Sequence, residues 1–176
     1  MCSICDLRID FGVDHPMSLD VAVETRRAVD AGLLPQLADS MDDGRLRLKA
    51  IDTLKAAQQR LEQTLSAEEL PSLPDFFVLM IESRTWAFFR STPTGFDPNC
   101  QPAPPNVTSD DKAARDAVIV TSELAMNEIV AGRLPFETAL RERIIVLDAD
   151  EARHSALLNA WNGAYPEAGF SRFVCA

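Results

Sequence analysis

The chain has no stretch approaching the roughly 18 consecutive apolar residues that a membrane-spanning helix needs, so membrane insertion is not expected. It is also short of positive charge: 17 Lys and Arg stand against 27 Asp and Glu, a net charge of -10. Such a surface repels the phosphates of nucleic acids and of anionic lipids. Arg26 and Arg27 sit among acidic positions, and Arg141 and Arg143 flank Glu142, so no local basic patch restores a nucleic-acid role. The first residues carry neither the basic stretch nor the apolar segment of a secretory signal, and a cytoplasmic, reducing location is expected. Four cysteines in that setting point to free thiols or metal ligands rather than a disulfide framework.

Signatures of common chemistry are missing as well. There is no P-loop, no dinucleotide glycine pattern, no His-Glu-x-x-His and no Gly-x-Ser-x-Gly. Histidine occurs only as His15 and His154, and nothing in the sequence groups a serine, a histidine and an aspartate. Glu151 and His154 form a single Glu-x-x-His, where a carboxylate-bridged di-iron bundle needs two; a solvated helix face accounts for it. The acids are too many to choose a catalytic pair among them, and a non-catalytic protein is the expectation.

What is present is ordinary globular composition, with 47% hydrophobic and 25% charged residues in a chain of 176. That length buries a core without help from metals or disulfides. Leu7, Ile9 and Phe11 alternate with polar residues, which suggests a short extended piece. Ser18 is placed as the N-cap of a first helix with Leu19, Ala22, Val23 and Val29 along one stripe, stopped by Gly32. The clearest helix spans 46–65: Leu46, Ala50, Ile51, Leu54, Ala57, Leu61 and Leu65 recur at steps of three and four. Ser66 and Glu69 have the spacing of a capping box. Residues 76–89 are the most apolar stretch, interrupted by Glu82, Ser83 and Arg84. Their aromatic and β-branched content favours two strands over one buried helix. Five prolines then make 91–112 a long loop, either a functional lid or a mobile segment. Beyond it follow a strand at 117–120, a helix capped by Thr121 or Ser122 and ended by Gly132, and a short helix after Pro135. A strand at 144–147 and a last helix, started by Asp148 or Asp150 and stopped at Asn162 and Gly163, complete the pattern.

The segment 117–161 resembles the C-terminal half of sterol carrier protein 2-like domains. The likeness rests on Val118, Ile119 and Val120, then Ser122-Glu123-Leu124. It continues through Gly132 and Leu134, the Ala139-Leu140 pair, the strand ending at Leu147, and Asp150 leading to Leu157 and Leu158. The family usually has Gly-Asp after the last strand, where this chain has Asp148-Ala149-Asp150. The resemblance implies an α+β fold: a small antiparallel sheet covered by helices, here preceded by a helical N-terminal segment. The division expected is an extension at 1–44 and an α+β domain at 45–176. It further implies an apolar tunnel for a small hydrophobic molecule such as a lipid, fatty acid or sterol, with Leu124, Ile129, Leu134, Phe136, Leu140 and Leu158 in its wall. The plain alternative is that these six are simply core.

Cys2-x-x-Cys5 places two thiols within chelating distance, and His15 lies a few residues on. Zinc favours thiolate and imidazole in a set of four, which Cys175 or one of Asp6, Asp10 and Asp14 would complete. A zinc-binding or protein-interaction module built on these residues is therefore the alternative to a ligand carrier. A redox pair is disfavoured, because the residues after Cys5 do not look like a helix start.

Overall fold

A computed structural model describes residues 14–36 and 42–166. The elements in order are α1 (Ser18–Asp30), α2 (Asp43–Thr64), β1 (Phe76–Met80), β2 (Thr85–Phe89), β3 (Ser91–Thr92), β4 (Gly95–Phe96), β5 (Ala117–Thr121), α3 (Glu123–Val130), α4 (Phe136–Arg141), β6 (Ile145–Asp148) and α5 (Glu151–Ala164). The architecture is α+β, with helices packed on a small central sheet and a helix before it.

The four-stranded sheet has the order β2-β1-β5-β6. β1 pairs antiparallel with β2, and β5 does so with β6. β1 and β5, however, run parallel, with Phe76 opposite Ala117 and Met80 opposite Thr121. The expected antiparallel sheet is therefore mixed at its centre. The long connection from β2 to β5 is what permits a parallel return, which a tight hairpin does not.

Every residue of β1 and of β5 is buried, because both faces of the sheet are covered. That explains the continuous apolar run where one-sided burial would give alternation. Phe76, Val78, Met80 and Ile119 face the larger core beneath α2, α3, α4 and α5. Phe77, Leu79, Val118 and Val120 face the other side, with Trp86, Val21 of α1 and Val107. Val107, 2% exposed, comes from the proline-rich segment, which thus covers a sheet face. That segment is tied down by Asn106: its N–H donates to Asp116 at 2.7 Å and its side-chain amide to the Ala114 carbonyl at 2.9 Å.

α2 buries Ala50, Ile51, Leu54, Ala57 and Leu61, the apolar stripe of the sequence, and also Thr53. It begins at Asp43 because Asp42 accepts from the Arg45 N–H at 3.0 Å. Ser66 and Glu69 form the reciprocal capping box, each accepting from the other's N–H. α3 is capped by Ser122, which accepts from Ala125 N–H at 3.0 Å, and α5 by Asp150, which accepts from Arg153 N–H at 3.0 Å. Gly32 (φ 76°) and Gly132 (φ 72°) supply the left-handed turns that end α1 and α3.

Two helices depart from the sequence pattern. α5 runs through Asn162 and Gly163 to Ala164, held by burial of Trp161 and Ala164, which outweighs the weak helix propensity of those two residues. α1 has Met17 at its N-cap with no side-chain bond, so Ser18 is already helical. Its buried residues are Val21, Thr25, Ala28 and Val29, while Leu19 is 73% and Val23 42% exposed.

Candidate functional site

The start of α1 is hooked to the sheet through His15, a residue only 3% exposed. Its Nδ1 accepts from the Met17 N–H at 3.1 Å, so the proton of the neutral ring sits on Nε2. That nitrogen lies 3.2 Å from Asp148 Oδ2, at the end of β6, but off the line of a good hydrogen bond and without another partner. Asp148 also meets Arg115 at 3.3 Å. Burial lowers the His15 pKa, an effect stronger than the opposing pull of Asp148, and the ring is neutral at physiological pH.

Opposite α1 stands the turn between β1 and β2. Here the chain reverses through Arg84 at φ 53°, a left-handed conformation that costs a residue with a Cβ about 1–2 kcal/mol. Glu123, in the first turn of α3, holds this turn in place. Its carboxylate accepts from the N–H groups of Glu82 at 3.1 Å and Ser83 at 2.7 Å. In return the Glu82 carboxylate accepts from the Glu123 N–H at 2.9 Å. The positive end of the α3 dipole favours both carboxylates there. Glu82 is exposed as a residue, but its carboxyl is turned inward, and desolvation pushes its pKa up to about 7. Water on the rest of the side chain blunts what that shift means for stability.

Between α1 and this turn lies a cavity of about 530 Å³. Ala22, Val29 and Ile81 give it apolar wall, with Leu19 among its lining residues; Asp14, His15, Ser18, Thr25, Arg26, Glu82 and Arg84 supply the polar part. Thr25 is 6% exposed. Among the described residues its Oγ1 and the Ser18 Oγ, both sealed from water, have no hydrogen-bond partner. The charged groups pair among themselves: Arg84 with Asp14 at 2.9 Å and Arg26 with Asp30 at 3.1 Å.

The six residues expected to wall a tunnel are divided between the larger core and two separate hollows. Ile129 and Phe136 are fully buried in the larger core, and Leu124 packs against it. Phe136 stacks on Trp161 with ring centres 5.0 Å apart. Leu134 borders a hollow of about 510 Å³ beside Arg60 and Tyr165. Leu140 and Leu158 border another of about 550 Å³, along with His154.

The zinc expectation is overturned. Both nitrogens of His15 face its own chain, and its ring is buried against Asp148. Among the described residues no group of three or more His, Cys, Asp or Glu is arranged to hold a metal ion. Cys2, Cys5 and Cys175 lie outside the described residues. Metal binding and a zinc cofactor are accordingly withdrawn as a reading of this chain. Cys100 is a free, half-buried thiol whose pKa burial raises.

Thr25, Glu82 and Glu123 were not singled out by the sequence. A threonine in a polar helix gives no periodic signal, and Glu82 and Glu123 are 41 residues apart. The only hint was the polar triplet that breaks the apolar run. No helix among the described residues is long and apolar enough to cross a membrane. No protein-family model, no curated protein and no solved structure matches the chain.

Proposed function

We propose that this protein is a non-catalytic binding protein for a small, mainly hydrophobic molecule, held in the cavity between α1 and the β1–β2 turn. The observation that carries the reading is a concave site that combines apolar wall with polar atoms lacking partners. Ala22, Val29 and Ile81 supply the first; Thr25 Oγ1 and Ser18 Oγ, without partners among the described residues, supply the second. Small-molecule sites have this makeup, with a few polar groups fixing the orientation of an apolar guest. A buried polar atom without a partner costs about 1–3 kcal/mol. A guest whose polar end gives one of these hydroxyls a partner recovers part of that. Leu19, a large apolar side chain 73% exposed among the lining residues, is the kind of surface such a guest covers. The reading keeps the ligand class implied by the sterol carrier resemblance and moves its place, because Ile129 and Phe136 are fully buried in the core while Leu134, Leu140 and Leu158 border two separate hollows.

Titration with a fluorescent long-chain alcohol tests it. Saturable binding near one molecule per chain is expected, and Ala22→Trp, which fills the space, should abolish it while the variant keeps its far-ultraviolet circular dichroism. Absence of saturable binding to the wild-type chain refutes the reading.

A further inference from the structure

α1 is attached at its start through a side chain whose bonding depends on its protonation. His15 Nδ1 accepts from the Met17 N–H at 3.1 Å, and its Nε2 faces Asp148 at 3.2 Å. The neutral ring serves both, because one nitrogen accepts while the other carries the proton. A charged imidazole has a proton on each nitrogen and accepts nothing. Its Nδ1–H and the Met17 N–H then point at one another, and a flipped ring offers Met17 no acceptor either. Charging His15 therefore breaks its bond to the helix start.

The groups around the ring do not make up for that loss. Asp148, at the end of β6, attracts a charged ring but is shared with Arg115, 3.3 Å away and just before β5. Arg115 opposes a second cation there. The residue is only 3% exposed, so a charge on it gives up its water. Asp14, its neighbour in the chain, reaches Arg84 of the β1–β2 turn, both side chains being more than half exposed. Glu82 of that turn and Arg26 of α1 line the same cavity as His15.

Asp14, His15, Pro16, Ser18 and Leu19 are all lining residues, so the His15 contact sets where this wall stands. The rest of α1 is held separately, by burial of Val21, Thr25, Ala28 and Val29. Losing the contact frees the first turn and leaves the remainder of the helix in place.

We propose that His15 is an acid-sensitive latch: when its ring takes up a proton, the start of α1 comes away from the sheet, the cavity loses that wall, and the bound guest is released. This rests on the binding reading above and adds its control by pH. Burial lowers the pKa of the latched ring below the ordinary 6.5. The closed form thus binds the proton less readily than the open one, and a pH falling below that value favours opening.

The test follows the wild-type chain and His15→Gln from about pH 7.5 to about pH 5.5, a window that spans the ordinary imidazole value. Glutamine keeps an oxygen for the Met17 N–H and an N–H for Asp148, and it does not titrate. The probe is a fluorescent long-chain alcohol with no titrating group. Wild-type affinity should fall by about three- to tenfold more than that of the variant, within the limit of about tenfold per pH unit for one linked proton. Glu82 also titrates near neutrality, but it does so in both proteins and cancels in the comparison. In the ligand-free wild type, hydrogen exchange at the Met17 and Ser18 amides should speed up in acid by a similar factor, after correction for the intrinsic effect of pH. The Ala28 and Val29 amides, at the far end of α1, should keep their protection. Equal pH dependence of binding in the two proteins overturns the latch while leaving the cavity reading standing. So does unchanged protection at Met17 in acid, a result that needs no variant to fold. If the wild-type chain does not bind the alcohol at the neutral end of the range, the cavity reading fails and the release inference falls with it.

Discussion

Thr25→Val should make the unliganded protein more stable, against the usual direction of a buried substitution. Thr25 is 6% exposed, and its hydroxyl is sealed from water without a partner. Within a helix a threonine often turns its hydroxyl onto the carbonyl four residues back; here Thr25 Oγ1 makes no such bond. An unsatisfied buried hydroxyl costs about 1–3 kcal/mol. Valine has nearly the same shape, and its extra methyl adds apolar burial worth roughly 0.8 kcal/mol. The helix propensities of the two residues are close, so that contribution cancels. Some of the gain is lost to imperfect packing of a methyl where oxygen stood, which leaves a net stabilisation of about 1–2 kcal/mol. In urea, with a slope of about 1–3 kcal/mol per molar for small proteins, the midpoint should rise by about half a molar or more while the slope stays the same. An unchanged or lower midpoint refutes the reasoning, for it means that the hydroxyl has a partner in solution. Repeating the melt after stripping with organic solvent then tells whether that partner is a co-purified molecule.

Leu54 is fully buried under the sheet, and Leu54→Ala should cost about 2–5 kcal/mol, read from the same denaturation curve; a loss below about 0.5 kcal/mol, the size of a surface change, rejects its core position. Ser122→Ala removes the cap of α3 and should cost about 1 kcal/mol, with amide exchange rising at Glu123 and Ala125. The His15 pKa is lowered on folding, so the folded state binds that proton less readily than the unfolded one. Its contribution to stability is present above the unfolded value near 6.5 and falls away as the pH drops through that value toward the folded one. Glu82, whose pKa is raised to about 7, works in the opposite sense, adding stability as the pH falls from about 7 toward the ordinary carboxylate range. The His15 effect is therefore read as the difference between wild type and His15→Gln over that window, where the variant's urea midpoint should decline less on acidification.

Elements governed by local pattern were legible in the sequence. The three- and four-residue spacing of α2 marks its buried face because one side packs on the sheet and the other meets water. The capping residues Ser122 and Asp150 mark helix starts, since the unsatisfied N–H groups there need an acceptor close in sequence. Pairing between distant strands has no such local signature: nothing in Phe76 or Ala117 announces that β1 and β5 run parallel. α1 departs from the sequence expectation for a related reason. Its apolar residues fit more than one stripe, and the face that packs includes a threonine, so hydrophobicity alone chose Leu19 and Val23 over Val21 and Thr25. The chemistry of His15 is visible in the sequence but its partner is not, because the half-buried Asp148 that it meets lies far along the chain.

The unequal covering of the two sheet faces explains why the cavity lies under α1. One face carries α2, α3, α4 and α5 over a continuous core, in which Phe136 and Trp161 are stacked and fully buried. A guest entering there has to displace close-packed side chains, and overpacking a filled core by even a few methylenes costs about 1–3 kcal/mol. The other face is covered by α1 and by the segment around Val107, and α1 leaves Leu19, Ala22 and Val23 in water. α1 buries Val21, Thr25, Ala28 and Val29 and leaves most of its other residues in water. The turn it faces, by contrast, is fixed by the exchanged carboxylates of Glu82 and Glu123. A guest bound as proposed enters between this fixed turn and a half-exposed helix and leaves the close-packed core undisturbed.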